Sequence, residues 1–349
     1  MLNKILWLFI FIIVVAAIFK IFNAGSDMYK WKLLADVKYD IETMEFVSAT
    51  RGWRVEGLPW DFKENDKSAV YRYRLSETSD GGKTWNILYQ TNDYIYKIRY
   101  MHEMKCLYGL MLEDNPELKR KLCKSTDGGR TWMTVCYLQS SVQGVYFFND
   151  KNGYAWGSNS IYGTYDSAQT WHFISKTKFS ILEDHEQMQI IGKDRFIYYV
   201  EDSKVYGFNF WDGQRIELPL PAGFEPEAVI ARSTGTTIYV LGKILSKWTF
   251  LTFENTHLIL NESVPIEEKN FDTNSFAYGD NVINVVGTTR GAFFLTYYFY
   301  HRDSKGWHKE SISGSNNYSK FAYWGDYMWA HRVSLRRGTR ELLFREVIE

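Results

Sequence analysis

Residues 77–85 read ETSDGGKTW and residues 124–132 read KSTDGGRTW, the second copy beginning 47 positions after the first. A third, looser copy, GTYDSAQTW, ends at Trp171, 39 positions after Trp132. The shared positions are Thr78, Asp80, Gly82, Thr84 and Trp85 in the first copy and Ser125, Asp127, Gly129, Thr131 and Trp132 in the second. In the third they are Thr164, Asp166, Thr170 and Trp171, with Ala168 where the others carry glycine. An Asp side chain bonds backbone groups just downstream, and Gly takes positive φ without steric cost. The Thr-Trp pair that follows is β-prone, and the indole adds a large apolar body. Each copy therefore reads as a turn between strands whose carboxylate is consumed by its own loop. These residues are expected to be structural, and Ala168 is expected to disturb the third turn.

A strand-rich unit repeating every 40-odd residues points to propeller blades. Blade one spans about 41–93, blade two about 94–140 and blade three about 141–178. Beyond 180 the rhythm persists without the turn, and RDSKGW at 302–307 keeps an Asp, a Gly and a Trp. Seven units result. The lone stretch WKLLADV at 31–37 suits a strand that completes the last blade and closes the ring. The fold expected is all-β, a propeller of seven four-stranded blades occupying 27–349, preceded by one N-terminal transmembrane helix. Imperfect alternation of apolar and polar residues fits strands buried on both faces between blades.

The repeated turns resemble the Asp-box of BNR-type β-propellers, a group that includes sialidases, sortilin-type domains and photosystem II assembly-factor-type propellers. The layout is most similar to the last, because a Phe precedes a Gly-aromatic pair: Phe46 before Gly52-Trp53, and Phe147 before Gly153-Tyr154. The resemblance implies a structural box on the outer side of each blade, so no catalytic role carries over.

The N-terminus holds fifteen consecutive apolar residues, 5–19, between Lys4 and Lys20. Fifteen is slightly short for a span, but Lys20 can snorkel and extend it to Phe22. Small residues are badly placed for cleavage, which favours an uncleaved anchor over residues 1–26, and either an anchor or a removed signal exports the rest. The charge beside Lys4 leaves the head in the cytoplasm. The expected location is the inner membrane, single-pass, with the propeller on the periplasmic or extracytoplasmic side.

The chemistry-bearing residues form no recognisable set. Basic and acidic residues balance at 41 each, so no net field favours nucleic acid. Cys106, Cys123 and Cys136 match no common zinc spacing, and one disulfide plus a thiol or three reduced thiols both remain open. The seven His are scattered, and Glu183, Asp184, His185 and Glu186 read as a solvated loop. The basic stretch from His331 to Glu346 reads as a solvated hairpin. No metal and no cofactor is expected. A sialidase needs an arginine triad, a Tyr/Glu pair and an acid/base Asp, and its early Arg-Ile-Pro segment is absent.

The function expected is that of a membrane-tethered, exported scaffold without catalysis, holding a protein partner. That partner would be an effector or toxin met by a periplasmic immunity protein, or the client of an assembly factor. The alternative is an extracytoplasmic glycan-active enzyme of sialidase type. Trp60 and Phe62, in the insertion 56–74, are candidate partner contacts, because exposed aromatic anchors dominate many interfaces. The insertion 56–74 and the loop 113–119 are both expected to project from the rim as candidate partner contacts.

Overall fold

Val, Ile, Leu and aromatic runs of five to nine residues, separated by turn residues, give strands throughout. The computed structural model describes residues 31–58, 71–102, 104–115, 117, 119–139, 142–157, 160–176, 196–209, 213–231, 237–278, 283–290, 295–314, 316–334 and 339–346. Among these, every regular element is a strand, and no helix is long and apolar enough to cross a membrane. The expected anchor, the loop containing His185, and both Trp60 and Phe62 lie outside the described residues.

Seven antiparallel sheets form the blades of a propeller. The first strand, β1 (Lys32–Val37), stands apart from the units that follow it. Blade one is β2 (Asp40–Phe46), β3 (Gly52–Gly57), β4 (Tyr73–Thr78) and β5 (Asn86–Thr91). Blade two is β6 (Tyr94–Met101), β7 (Cys106–Leu112), β8 (Arg120–Ser125) and β9 (Met133–Leu138). Blade three is β10 (Val142–Phe147), β11 (Gly153–Gly157), β12 (Ser160–Thr164) and β13 (His172–Lys176). Blade four has three described strands, β14 (Phe196–Glu201), β15 (Lys204–Asn209) and β16 (Arg215–Glu217), one fewer than the sequence suggests. Blade five is β17 (Phe224–Ala231), β18 (Thr237–Ile244), β19 (Lys247–Glu254) and β20 (His257–Ser263). Blade six is β21 (Asp272–Tyr278), β22 (Ile283–Arg290), β23 (Leu295–Asp303) and β24 (Gly306–Gly314). Blade seven is β25 (Asn316–Trp324), β26 (Tyr327–Ser334) and β27 (Thr339–Glu346), completed by β1, which pairs antiparallel with β27. The ring closes through that strand, as WKLLADV predicts.

The hydrophobic clusters lie between blades. Trp53, Val55 and Leu75 of blade one pack with Ile95, Ile98 and Leu107 of blade two. Trp329 and Leu342 of blade seven pack with Met44 and Phe46 of blade one, and the Phe46 ring stacks on Trp329 at 3.7 Å. Second strands are consequently buried on both faces, as in GYAWG of β11, whereas outermost strands such as β20 are largely exposed. The Phe and Gly of the repeated lead-in also acquire a reason. Phe46 pairs with Gly52 and Phe147 with Gly153, and a Cβ at either glycine would meet the Phe ring at 2.6 Å.

The three repeated turns link the third strand of a blade to its fourth. Asp80 Oδ1 accepts the Thr84 amide at 2.9 Å and the Thr78 hydroxyl at 2.8 Å, while Thr84 Oγ1 donates to Oδ2 at 2.7 Å. Asp127 accepts the Thr131 amide at 3.0 Å, and Asp166 accepts the Thr170 amide at 2.9 Å. The buried hydroxyls of Thr78, Ser125 and Thr164 accept from Gly82, Gly129 and Ala168 at 2.9, 2.8 and 3.0 Å. The third turn keeps this whole pattern, with Ser167 and Ala168 at φ of 64° and 67° where the first has Gly81 and Gly82. Hydrogen bonding holds two non-glycine residues in the left-handed region, each at a cost of about 1–2 kcal/mol.

The turns also clasp neighbouring blades. Trp53 Nε1 of blade one donates to the Gly128 carbonyl in the turn of blade two at 3.0 Å. Trp329 Nε1 of blade seven donates to the Gly81 carbonyl of blade one at 2.9 Å. Both indoles are fully buried. The turns of blades one and two thus each offer a carbonyl to the blade before them.

One expectation is corrected here, and one open question is answered. Among the described residues of the stretch from His331 to Glu346, two arginines are buried and not solvated: Arg345 is 2% exposed and pairs with Glu310 of blade six at 2.9 Å, and Arg332 pairs with Glu341 at 2.6 Å. A buried arginine needs such a partner, because an unpaired charge there is costly. All three cysteines are free thiols: burial keeps Cys106, Cys123 and Cys136 protonated by raising their pKa values.

Candidate partner-binding face

Register fixes which strand ends lie together. Asp40 opposes Gly57, Gly57 opposes Tyr73, and Tyr73 opposes Thr91, so the link from β3 to β4 leaves from this end of blade one. In blade two Tyr94, Leu112, Arg120 and Leu138 align in the same way, so the link from β7 to β8 leaves from the same end. The repeated turns lie at the opposite end, beyond Thr78 and Ser125.

The described feet of the two links are joined. Leu58 N donates to the Arg72 carbonyl at 2.7 Å, which closes the base of the first link. Glu113 N donates to the Lys119 carbonyl at 3.0 Å, which closes the second. Arg72 Nη1 then reaches Asp114 Oδ1 at 3.1 Å, and the Asp114 amide donates to Asp93 Oδ1 at 2.9 Å. Lys121 binds Asp93 at 2.7 Å, and the Tyr137 hydroxyl donates to Glu113 at 2.8 Å. Single surface ion pairs add little stability, so the consequence of this chain of bonds is geometric: it holds the described feet of the two links side by side.

The insertion is shorter than the sequence suggests. Glu56 and Arg74 belong to paired strands, and Glu56 is wholly buried, held by Arg74 Nε at 2.7 Å and facing Arg54 Nη2 at 3.1 Å. The sequence reading places both within the insertion 56–74. The buried ion triad explains their charges.

On the blade-seven side of the first link lies a recess of about 220 Å3, lined by Tyr39, Asp40, Glu42, Leu58, Tyr73 and Arg340 among others. Arg340 grips Asp40 through two bonds of 2.6 and 3.1 Å, joining blade seven to blade one. That bond is the main reason Asp40 ionises more readily than usual. An Asp so held is no general acid near neutrality. The Tyr94 hydroxyl donates to Glu42 Oε2 at 3.1 Å, which gives the recess a Tyr/Glu pair. Burial, and then the Glu42 carboxylate, raise the Tyr94 pKa, which is the opposite of what a nucleophilic phenolate requires. The arrangement suits binding: aromatic walls, with the Arg74 guanidinium 4.8 Å from the centre of the Tyr39 ring, and fixed charges of both signs.

At the turn end, one group escaped sequence reading. His301, Asp303 and His308 carry donor atoms within 4.8 Å of one another. The histidines look scattered along the chain, but His301 pairs directly with His308 across β23 and β24. The signal was present as His-x-Asp, a short turn, and His, and it becomes visible only once that turn is read as a hairpin.

No protein-family model matches the chain, and no curated protein matches it significantly. Solved structures match its fold. YCF48 from Cyanidioschyzon merolae is similar at 13% identity and a TM-score of 0.56, covering 91% of this chain and 98% of that one. A chain of the Mitotic Checkpoint Complex is similar at 9% identity and a TM-score of 0.54, covering 92% of this chain and 94% of that one. Identities this low show a shared seven-bladed architecture.

Proposed function

We propose that the chain is a membrane-tethered, exported propeller that holds a protein partner, with the end bearing links 58–72 and 113–119 as the contact face. The observation that carries this reading is the Arg72–Asp114 bridge, which joins the feet of the two links next to a recess. Binding residues concentrate on loops held by a rigid scaffold. Trp60 and Phe62 supply anchors within the first link, residues 1–26 form the tether, and 27–349 form the ring in the periplasm or its equivalent. The three turns are Asp-boxes of BNR type, which leaves their end of the ring to structure. Catalysis is no part of this reading, since Asp40 and Tyr94 are tuned away from acid and nucleophile roles. The partner is either an effector that the protein neutralises or a client that it helps to assemble.

The test is capture from membranes with the full chain as bait. A specific partner retained by wild type and lost with Trp60→Ala/Phe62→Ala is the expected result. Equal retention by both removes this face from consideration. Protease added to spheroplasts tests the topology: digestion is expected, and full protection until lysis would place the ring in the cytoplasm.

A further inference from the structure

The turn between β23 and β24 stands in blade six where the repeated turns stand in blades one to three, but its chemistry differs. Asp303 opposes Gly306 across a two-residue link. Asp303 Oδ1 accepts the amides of Lys305 at 2.7 Å and Gly306 at 3.1 Å, so the carboxylate is fixed by backbone. Side chains two apart on a strand share a face, which places His301 beside Asp303, and register places His308 opposite His301. The two imidazoles lie nearly parallel, with centres 4.8 Å apart. His308 Nε2 is 3.0 Å from Asp303 Oδ2. His301 and Asp303 are buried, while the His308 side chain is 42% exposed, so the cluster has a buried floor and a side open to solvent.

The other face of the hairpin is pinned. Arg302 and Trp307, themselves a cross-strand pair, both bond Glu262 on β20 of blade five, Trp307 Nε1 at 2.9 Å. The three donors therefore project from a hairpin held at both its turn and its back.

We propose that His301, Asp303 and His308 bind a divalent transition metal ion of the zinc type. Two imidazole nitrogens and one carboxylate oxygen form a borderline donor set that Zn2+ favours, leaving further positions for water or another ligand. Donors bound about 2.0–2.2 Å from one ion stand about 3–3.6 Å apart, and Asp303 and His308 already do. The three donor atoms lie within 4.8 Å of one another, and a turn of the imidazoles would close the set on one ion. The two turn amides supply the outer bonds that orient a ligating carboxylate. Without an ion, the same residues would form only a brace in which His308 caps Asp303.

Metal-stripped, untagged full-length protein titrated with ZnCl2 separates the two. One ion per chain is expected, with affinity at least ten-fold weaker in His308→Ala and in His308→Gln, the second of which keeps a donor for Asp303. Zn2+ should raise the unfolding midpoint of wild type and of neither variant. Equal Zn2+ affinity in wild type and either folded variant overturns the proposal. Should both variants fail to fold, Co2+ added to wild type decides: visible bands of a nitrogen-ligated ion at one equivalent support the site, and the spectrum of aqueous Co2+ refutes it.

Discussion

Replacing Thr78 with Val tests whether the repeated turns are structural, because the change removes one oxygen and keeps the shape. Thr78 is fully buried. Its hydroxyl donates to Asp80 Oδ1 at 2.8 Å and accepts the buried Gly82 amide at 2.9 Å and the Asp80 amide at 3.3 Å. Valine leaves the Gly82 N–H without a partner in a site water does not reach, a loss of about 1–3 kcal/mol. The Asp80 carboxylate suffers less, since Thr84 still donates to both of its oxygens. The total is about 2–3 kcal/mol. For 349 residues the unfolding entropy is on the order of 0.7 kcal/mol/K, which makes the expected drop in melting temperature about 3–4 °C. Thr84→Val is the control: its hydroxyl bonds the same Asp80 at an exposed position, where water replaces it, and the loss should stay below about 1 kcal/mol. Thermal and urea unfolding of wild type and both variants measure the difference. A Thr78→Val protein as stable as wild type, or no more affected than Thr84→Val, would refute the reasoning.

Two further outcomes follow from the same turns and from the core. Ser167→Gly should stabilise by about 0.5–1 kcal/mol by relieving a left-handed residue, whereas Ala168→Gly should be nearly neutral because it also removes a buried methyl; urea midpoints distinguish them. Acid should weaken the fold in two stages. His331, which burial holds near a pKa of about 4, stays neutral while the unfolded chain takes up a proton, so stability falls from about pH 6.5 to 4. Burial raises the Asp80 pKa, but bonds from Thr84 and Thr78 outweigh it and hold the value at about 2; for Asp166 the Thr170 hydroxyl leads in holding it at about 2. Their contribution is complete above the unfolded value near 3.9 and is lost as pH falls toward 2. His331→Gln should flatten the upper stage and leave the lower, as read from unfolding midpoints across pH.

The turns made the blades legible. Asp80, Asp127 and Asp166 sit where local chemistry alone determines conformation, so spacing revealed the period and Gly52 and Gly153 revealed the lead-in. The closing strand was legible for the same reason, being a lone apolar run before the first repeat. Residues whose meaning depends on distant partners were not. Arg345 reads as a surface charge until Glu310, 35 positions away, is brought against it. Glu56 reads as loop until Arg54 and Arg74 enclose it. His301 and His308 become neighbours only through register, and the Arg72–Asp114 bridge joins loops of different blades.

The proposed contact face is tested most directly by photo-crosslinking in intact cells, with a reactive side chain placed at Asp114 on that face, at position 60 within the first link, and at Lys83 in a repeated turn at the opposite end. The account predicts a discrete crosslinked species from positions 60 and 114 and none from 83. A species formed from position 83, with none from 60 or 114, would contradict it.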